Sequence, residues 1–164
     1  MNNLNVYEKR GLKKFSLFSM IFFFMLLVPI TVKAQDDIKS LDSLADIAIN
    51  NGNYAGGYLL RTKQIDMLSK QVNKGDSNLI LIIASRGMCM ERLNKFDEAL
   101  TEVKKAVELW TEFKDSTSFS YAALLNYLSV CQMNANQLND AVESSQRSIS
   151  LLEKMPNKDM AKWM

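Results

Sequence analysis

The chain has no histidine among its 164 residues. That removes Ser–His and Cys–His nucleophile pairs and the commonest protein metal ligand. There are two cysteines, Cys89 and Cys131, and neither has a second cysteine at a metal-ligand spacing, so no zinc site is predicted. Glycines number six. The pair Gly56-Gly57 lacks the Lys-Ser/Thr and the preceding strand of a phosphate-binding loop. The acid pairs Asp36-Asp37 and Asp97-Glu98 are adjacent in sequence, so on a helix they diverge by about 100°. They read as helix-start acids favoured by the macrodipole. No strand pattern competes with helix: Leu79 to Ala84 is apolar but runs on into helical spacing. No catalytic residue, cofactor or metal is expected, and the chain does not read as an enzyme.

What is present begins with a leader. Lys9, Arg10, Lys13 and Lys14 stand against Glu8, then Phe15 to Ile30 is almost wholly apolar, and Val32-Lys33-Ala34 puts small residues where a signal peptidase reads. Basic, apolar and A-x-A-like segments in this order make a secretory signal peptide over 1–34, cut after Ala34. The alternative is an uncleaved membrane anchor. Ser16, Ser19 and Pro29 interrupt the apolar run, which falls short of the ~20 residues a span needs. The expectation is a periplasmic or secreted protein of bacterial type, with no stable membrane span after cleavage. The leader takes with it five of the 20 basic residues and one of the 18 acids, leaving 15 against 17 and a formal charge of −2. Such a body has no basic stripe and no electrostatic footprint for nucleic acid.

The remainder resembles itself at a step of 42 residues. Gly57, Ala99 and Ala141 are so related, as are Tyr54, Phe96 and Leu138, then Ile65, Val107 and Ile149, then Met67, Leu109 and Leu151. Ile38/Ile80/Ala122, Leu41/Ile83/Leu125 and Ala45/Gly87/Ser129 lie 3 and 4 apart, on one helix face. Tyr54/Phe96/Leu138, Tyr58/Leu100/Val142, Ile65/Val107/Ile149 and Leu68/Trp110/Leu152 form a second stripe. Between the stripes stands Gly52/Asn94/Asn136, the residue types that accept a left-handed backbone where a helix ends. Each unit therefore reads as helix, tight turn, longer helix and polar link. The predicted helices are 37–50, 54–72, 78–93, 96–113, 118–134 and 138–155. Asn53 is expected to cap the second, and Ser77 or Asn78 the third. Pro156 stops the last long helix. The units are about 36–77, 78–117 and 118–156, within a repeat domain over 35–156. An all-α stack of this kind is a binding surface rather than a catalyst.

The run Gly87…Met90…Leu93-Asn94-Lys95-Phe96-Asp97-Glu98-Ala99-Leu100…Ala106-Val107-Glu108-Leu109 resembles a tetratricopeptide repeat (TPR). That family places a small residue in helix A, an aromatic then Asp-Glu-Ala-Leu opening helix B, and Ala-Leu later in helix B. The third copy, Asn136 to Leu151, matches less closely. The first keeps the turn, the aromatic and the small residue. The resemblance covers roughly 36–155 and implies a right-handed α-solenoid of three helix-turn-helix repeats. The 42-residue period exceeds the family's usual 34 and resembles its long-helix variants in bacterial regulators and kinesin light chains. Departures are Arg86 where Leu is usual, Gln64 and Ser148 where Ala106 is small, and Arg61 and Ser145 at a bulky position.

In such stacks helix A lines a concave groove. Carried onto matching positions, the resemblance implies a lining of Lys39, Asp42, Asp46 and Ile49, then Leu81, Ala84, Met88 and Arg92, then Asn126, Val130, Met133 and Asn134. The peptide-contacting candidates are Met88, Arg92, Asn126, Val130, Met133 and Asn134. Met adapts to irregular surfaces, and Asn offers donor and acceptor to a peptide backbone. The expected role is a protein–protein interaction module taking a peptide or protein partner in the bacterial envelope. The alternative is an extracytoplasmic sensor fragment of a membrane-bound signalling regulator, its other repeats and output domain lying elsewhere. Glu98, Glu102, Lys104, Lys105, Glu108 and Glu112 read as one solvated face. Stacked helix axes stand about 8–10 Å apart, whereas a disulfide needs Cα atoms within roughly 7 Å. Cys89 and Cys131 are thus expected to be buried free thiols. Residues 157–164, with Met160 and Trp163, read as a short helix folding back on the third unit or as the opening of a further repeat.

Overall fold

The structure is a computed structural model that describes residues 35–155. The predicted leader over 1–34 and the short segment 157–164 lie outside those residues. The chain divides into two units, 1–39 and 40–164; the described part of the first, 35–39, is helical. Six helices occupy the described residues: α1 over 35–50, α2 Tyr54–Leu68, α3 Ser77–Arg92, α4 Phe96–Phe113, α5 Phe119–Asn134 and α6 Leu138–Glu153. None is long and apolar enough to cross a membrane.

Three turns of one design join the helices into hairpins. Gly52, Asn94 and Asn136 adopt positive φ of 74°, 61° and 60°. The residue after each donates its amide to the carbonyl five back, as Lys95 does to Met90 (3.0 Å) and Gln137 to Gln132 (2.8 Å). The turn residue donates three back, Asn94 to Glu91 and Asn136 to Met133. This pair of bonds satisfies the carbonyls a helix end leaves open. Each second helix then starts two residues after its turn residue, at Tyr54, Phe96 and Leu138. Gly57, Ala99 and Ala141 therefore sit at the same place, the fourth residue of α2, α4 and α6, and all three are buried.

Small residues let the paired helices approach. A Cβ on Gly57 would stand 2.6 Å from Ile49 Cγ1, and one on Gly87 would stand 2.7 Å from Val103 Cγ2. From α2 to α6 each helix packs on its neighbours in sequence, and α3 also meets α5 across the stack; α1 meets α2 where Ile49 lies against Gly57 and Asp42 and Asp46 pair with Arg61. The core runs through Ile80, Ile83 and Ala84 of α3, Ala99, Val103 and Ala106 of α4, and Leu124, Leu125 and Cys131 of α5.

Two expectations are corrected. The cap of α3 is neither Ser77 nor Asn78 but Asp76, whose carboxylate accepts from Leu79 N at 3.0 Å. An anionic acceptor suits a helix N-terminus better than a hydroxyl. And α2 ends at Leu68, not at 72. The stretch 69–76 is spent on turns, with Asn73 Oδ1 accepting from Gly75 N (2.9 Å). Gly75 presses against Phe113, where a Cβ would come within 2.7 Å of that side chain.

Candidate partner-binding groove

The side chains at Asp42, Asp46, Arg61, Gln64 and Ser85 build the floor of the first two units. Arg61 is buried, and its guanidinium pairs with both Asp42 and Asp46. It also donates to Gln64 Oε1 (2.8 Å) and to Ser85 Oγ (3.2 Å), while Gln64 donates to Asp42 Oδ1 at 3.1 Å. A buried guanidinium is tolerated only when its donors are taken up this fully. Burial alone would raise the pKa of Asp42. The hydrogen bonds from Gln64 and Arg61 and the guanidinium charge outweigh it and hold the carboxyl below its ordinary 3.8. The two departures at Arg61 and Gln64 are thus one network. The third unit answers similarly: Ser148 Oγ donates to Ala122 O at 2.8 Å.

Above this floor opens a cavity of about 420 Å³ lined by Ile49, Asn50, Tyr54, Ser85, Met88, Cys89, Arg92 and Tyr127. Arg92 lies over the Tyr54 ring, 5.9 Å from its centroid, and its Nε stands 3.4 Å from Glu91 Oε2. Cys89 forms part of the wall. Burial raises its pKa above 9.0, the Arg61 charge pulling partly back. Its thiol stays protonated, a soft apolar surface and not a nucleophile. Cys131 lies deeper in the core, its pKa pushed up to about 11 by burial and then by the Glu91 charge. Both cysteines are free.

The structure divides the six groove candidates. Met88 and Arg92 line the cavity. Val130 and Met133 instead line an open recess between α5 and α6, with Leu138 and Val142. Asn134 is committed to the protein, donating to Glu91 Oε1 at 2.6 Å. Asn126 is exposed and lines neither depression. Among the wider lining, Ile49 is in place, whereas Ala84 is fully buried core and Leu81 is half-buried. Lys39 belongs to the other unit. Tyr127 was missed. It lies on α5 at the register position of Ser85, and the run Tyr127, Val130, Asn134 repeats the spacing of Ser85, Met88, Arg92. The solvated face on α4 also needs correcting: Glu102 is mostly buried in an ion pair with Arg86, and Lys104 donates to Gln137 Oε1 at 3.3 Å.

Solved structures with this arrangement exist. A Podosopora anserina chain assigned to the kinesin light chains, with nearly identical TPR-like repeats, superposes at a TM-score of 0.66 with 16% identity. The match covers 71% of the present chain and 56% of that one, a little over half its length. A TPR-like protein from Chlorobium tepidum gives 0.65 at 12% identity, covering 78% and 86% of the two chains. The N-terminal domain of stress-induced protein-1 from C. elegans gives 0.54 at 18% identity, covering 79% and 93%. The fold is a TPR-like helical repeat solenoid. No protein-family model matches the chain, and no curated protein sequence does. At these identities the likeness is one of fold; what a TPR-like stack does here has to come from its own groove.

Proposed function

We propose that this TPR-like stack is a non-enzymatic interaction module that holds a peptide segment of a partner protein in the groove over α1, α3 and α5. The observation that carries this is the cavity lining itself: Tyr54, Met88 and Tyr127 offer apolar contact, while Arg92 and Asn50 offer hydrogen bonds. Concave sites with mostly apolar walls and a few placed polar groups are how proteins hold ligands, and aromatic and Arg side chains carry most interface energy. The TPR family's clamp on a C-terminal carboxylate, which needs several cationic groove residues, is not proposed: of the two groove cations that the sequence offers, Lys39 and Arg92, Arg92 alone lines the cavity.

The partner is sought in the bacterial envelope, because the leader over 1–34 has the order of a cleaved signal peptide. The test is affinity capture from an envelope fraction, comparing wild type with a Met88→Ala/Arg92→Ala/Tyr127→Ala variant of unchanged helicity. Loss of the captured partner, with about tenfold or weaker residual affinity for two hot-spot side chains, is expected. Undiminished capture would remove the groove as the contact surface. N-terminal sequencing of the same preparation should begin at Gln35, and an intact leader would turn the envelope reading into one of membrane attachment.

A further inference from the structure

The joint between the second and third units brings together a half from α4 and a half from α5, with Met90 of α3 buried beside them. On α4, Ala99, Leu100 and Val103 are buried in one cluster with Leu128 and Cys131 of α5, and Val107 and Ala135 pack against it. Each half occurs again in the same stack, the α4 half one repeat away and the α5 half two repeats away, in both cases without its counterpart among the described residues. The α4 half recurs on α6, where Ala141, Val142, Ser145 and Ile149 take the register positions of Ala99, Leu100, Val103 and Val107. These residues line the open recess of about 460 Å³ beside α5. Val142 is 66% exposed where Leu100 is 6%. The α5 half recurs on α1, where Leu44 and Ile47 take the positions of Leu128 and Cys131. Ile47 is 54% exposed where Cys131 is fully buried, and Leu44 is 50% exposed where Leu128 is 8%.

We propose that the recess on α6 is a docking surface for α1 of a second copy of this chain, so that copies stack head to tail. The choice of occupant follows from size and shape. Leu44 repeats Leu128 without change. Ile47 is larger than Cys131, and Ser145 is smaller than Val103, so the enlarged knob meets an enlarged recess and the joint's volume is kept. The residues flanking the knobs, Ser40 and Ser43, are uncharged, so seating them strands no charge. The nearby carboxylates of Asp42 and Asp46 both pair with Arg61 within their own copy, and both keep about half of their surface in water. Because the two surfaces differ, the contact is heterologous: each copy offers α1 to one neighbour and α6 to the other, and the assembly grows as a row rather than closing as a two-fold dimer. The joint leaves out Arg92 and Tyr127, so it stands or falls independently of the groove.

The test uses the full chain, co-expressed as two differently tagged copies, one carrying Ile47→Cys and the other Val142→Cys. After mild oxidation, a disulfide-linked species bearing both tags is expected on a denaturing, non-reducing gel. Either variant paired with itself should give none, since equivalent residues do not meet across a heterologous contact. Wild-type pairs control for Cys89 and Cys131. Adding Leu44→Asp to the Ile47→Cys copy should abolish the cross-link; Leu44 is exposed, so the fold tolerates the change. Three results would each overturn the proposal: no mixed cross-link, which leaves the recess to residues 156–164 or to another protein; an equal cross-link within the Ile47→Cys pair, which means a symmetric contact; or a mixed cross-link that Leu44→Asp leaves untouched, which means collision without docking.

Discussion

Helices α2 and α4 turn the same face toward their neighbours and fill it with opposite chemistry. On α4 the two inward positions are Val103 and Ala106, both fully buried and wholly apolar. On α2 the equivalent positions are Arg61 and Gln64, which are buried almost as deeply. The apolar face needs only shape, and its contacts add up one by one. The polar face needs every partner at once: Asp42 and Asp46 from α1 and Ser85 from α3. One fold thus accommodates both, provided that the charged version draws its partners from two other helices. A satisfied network of this kind makes stability depend on its weakest member, whereas a dry interface degrades gradually.

Mutation can break that contrast. The largest effect is expected on the apolar side. Leu125→Ala removes a fully buried side chain of α5 and should cost about 2–5 kcal/mol in urea unfolding. A loss well under ~1 kcal/mol would mean that this interior is loosely packed. Next comes the polar side. Arg61→Ala leaves Asp46 and Gln64 Oε1 without their donor and Asp42 with Gln64 alone, for which the buried-pair range is about 3–5 kcal/mol. Both carboxylates are half exposed and recover water, so about 1–3 kcal/mol is the expectation. Arg61→Met, which keeps the volume, should lose less. Equal losses for the two variants would show that packing, not charge, is what Arg61 supplies.

The smallest effect is one of pH, and its sign follows from Asp42. Its carboxyl titrates lower in the folded chain than its ordinary 3.8, so the stability it contributes is fully present above that value. That contribution disappears as pH falls through the lower, folded pKa. Wild type should therefore lose stability more steeply than Asp42→Asn as pH falls below 3.8. Parallel curves would remove Asp42 from the network.

Much of this architecture was legible in the residues because its decisive signals are local. Asn94 or Asn136 followed two residues later by Phe96 or Leu138 marks a turn and a helix start within a few positions, and the cap at Asn53 accepts from Gly56 N as its side chain predicts. What escaped is non-local. Arg61 and Gln64 look like flaws in a pattern until Asp42, Asp46 and Ser85 converge on them from other helices. Residues 69–72 were expected to continue the helix, yet α2 stops at Leu68, and the link that follows seats Gly75 against Phe113, a partner 38 residues along the chain. Tyr127 was passed over for its neighbour Asn126, since a one-residue shift in helical phase moves a side chain by about 100°. Asn134 was placed in the groove, but its amide serves Glu91, a partner that periodicity does not reveal.

The left-handed turns have a consequence for how such a chain can change length. Gly52, Asn94 and Asn136 close their hairpins with the same two backbone bonds, and each hairpin rests chiefly on the one beside it. A duplicated cassette cut at any one of these turns would therefore rejoin in phase, carrying its own closure and its own mating faces. Growth or shrinkage by whole hairpins leaves the rest of the molecule undisturbed, while an insertion of any other size would have to be absorbed in the links at 69–76 or 114–118.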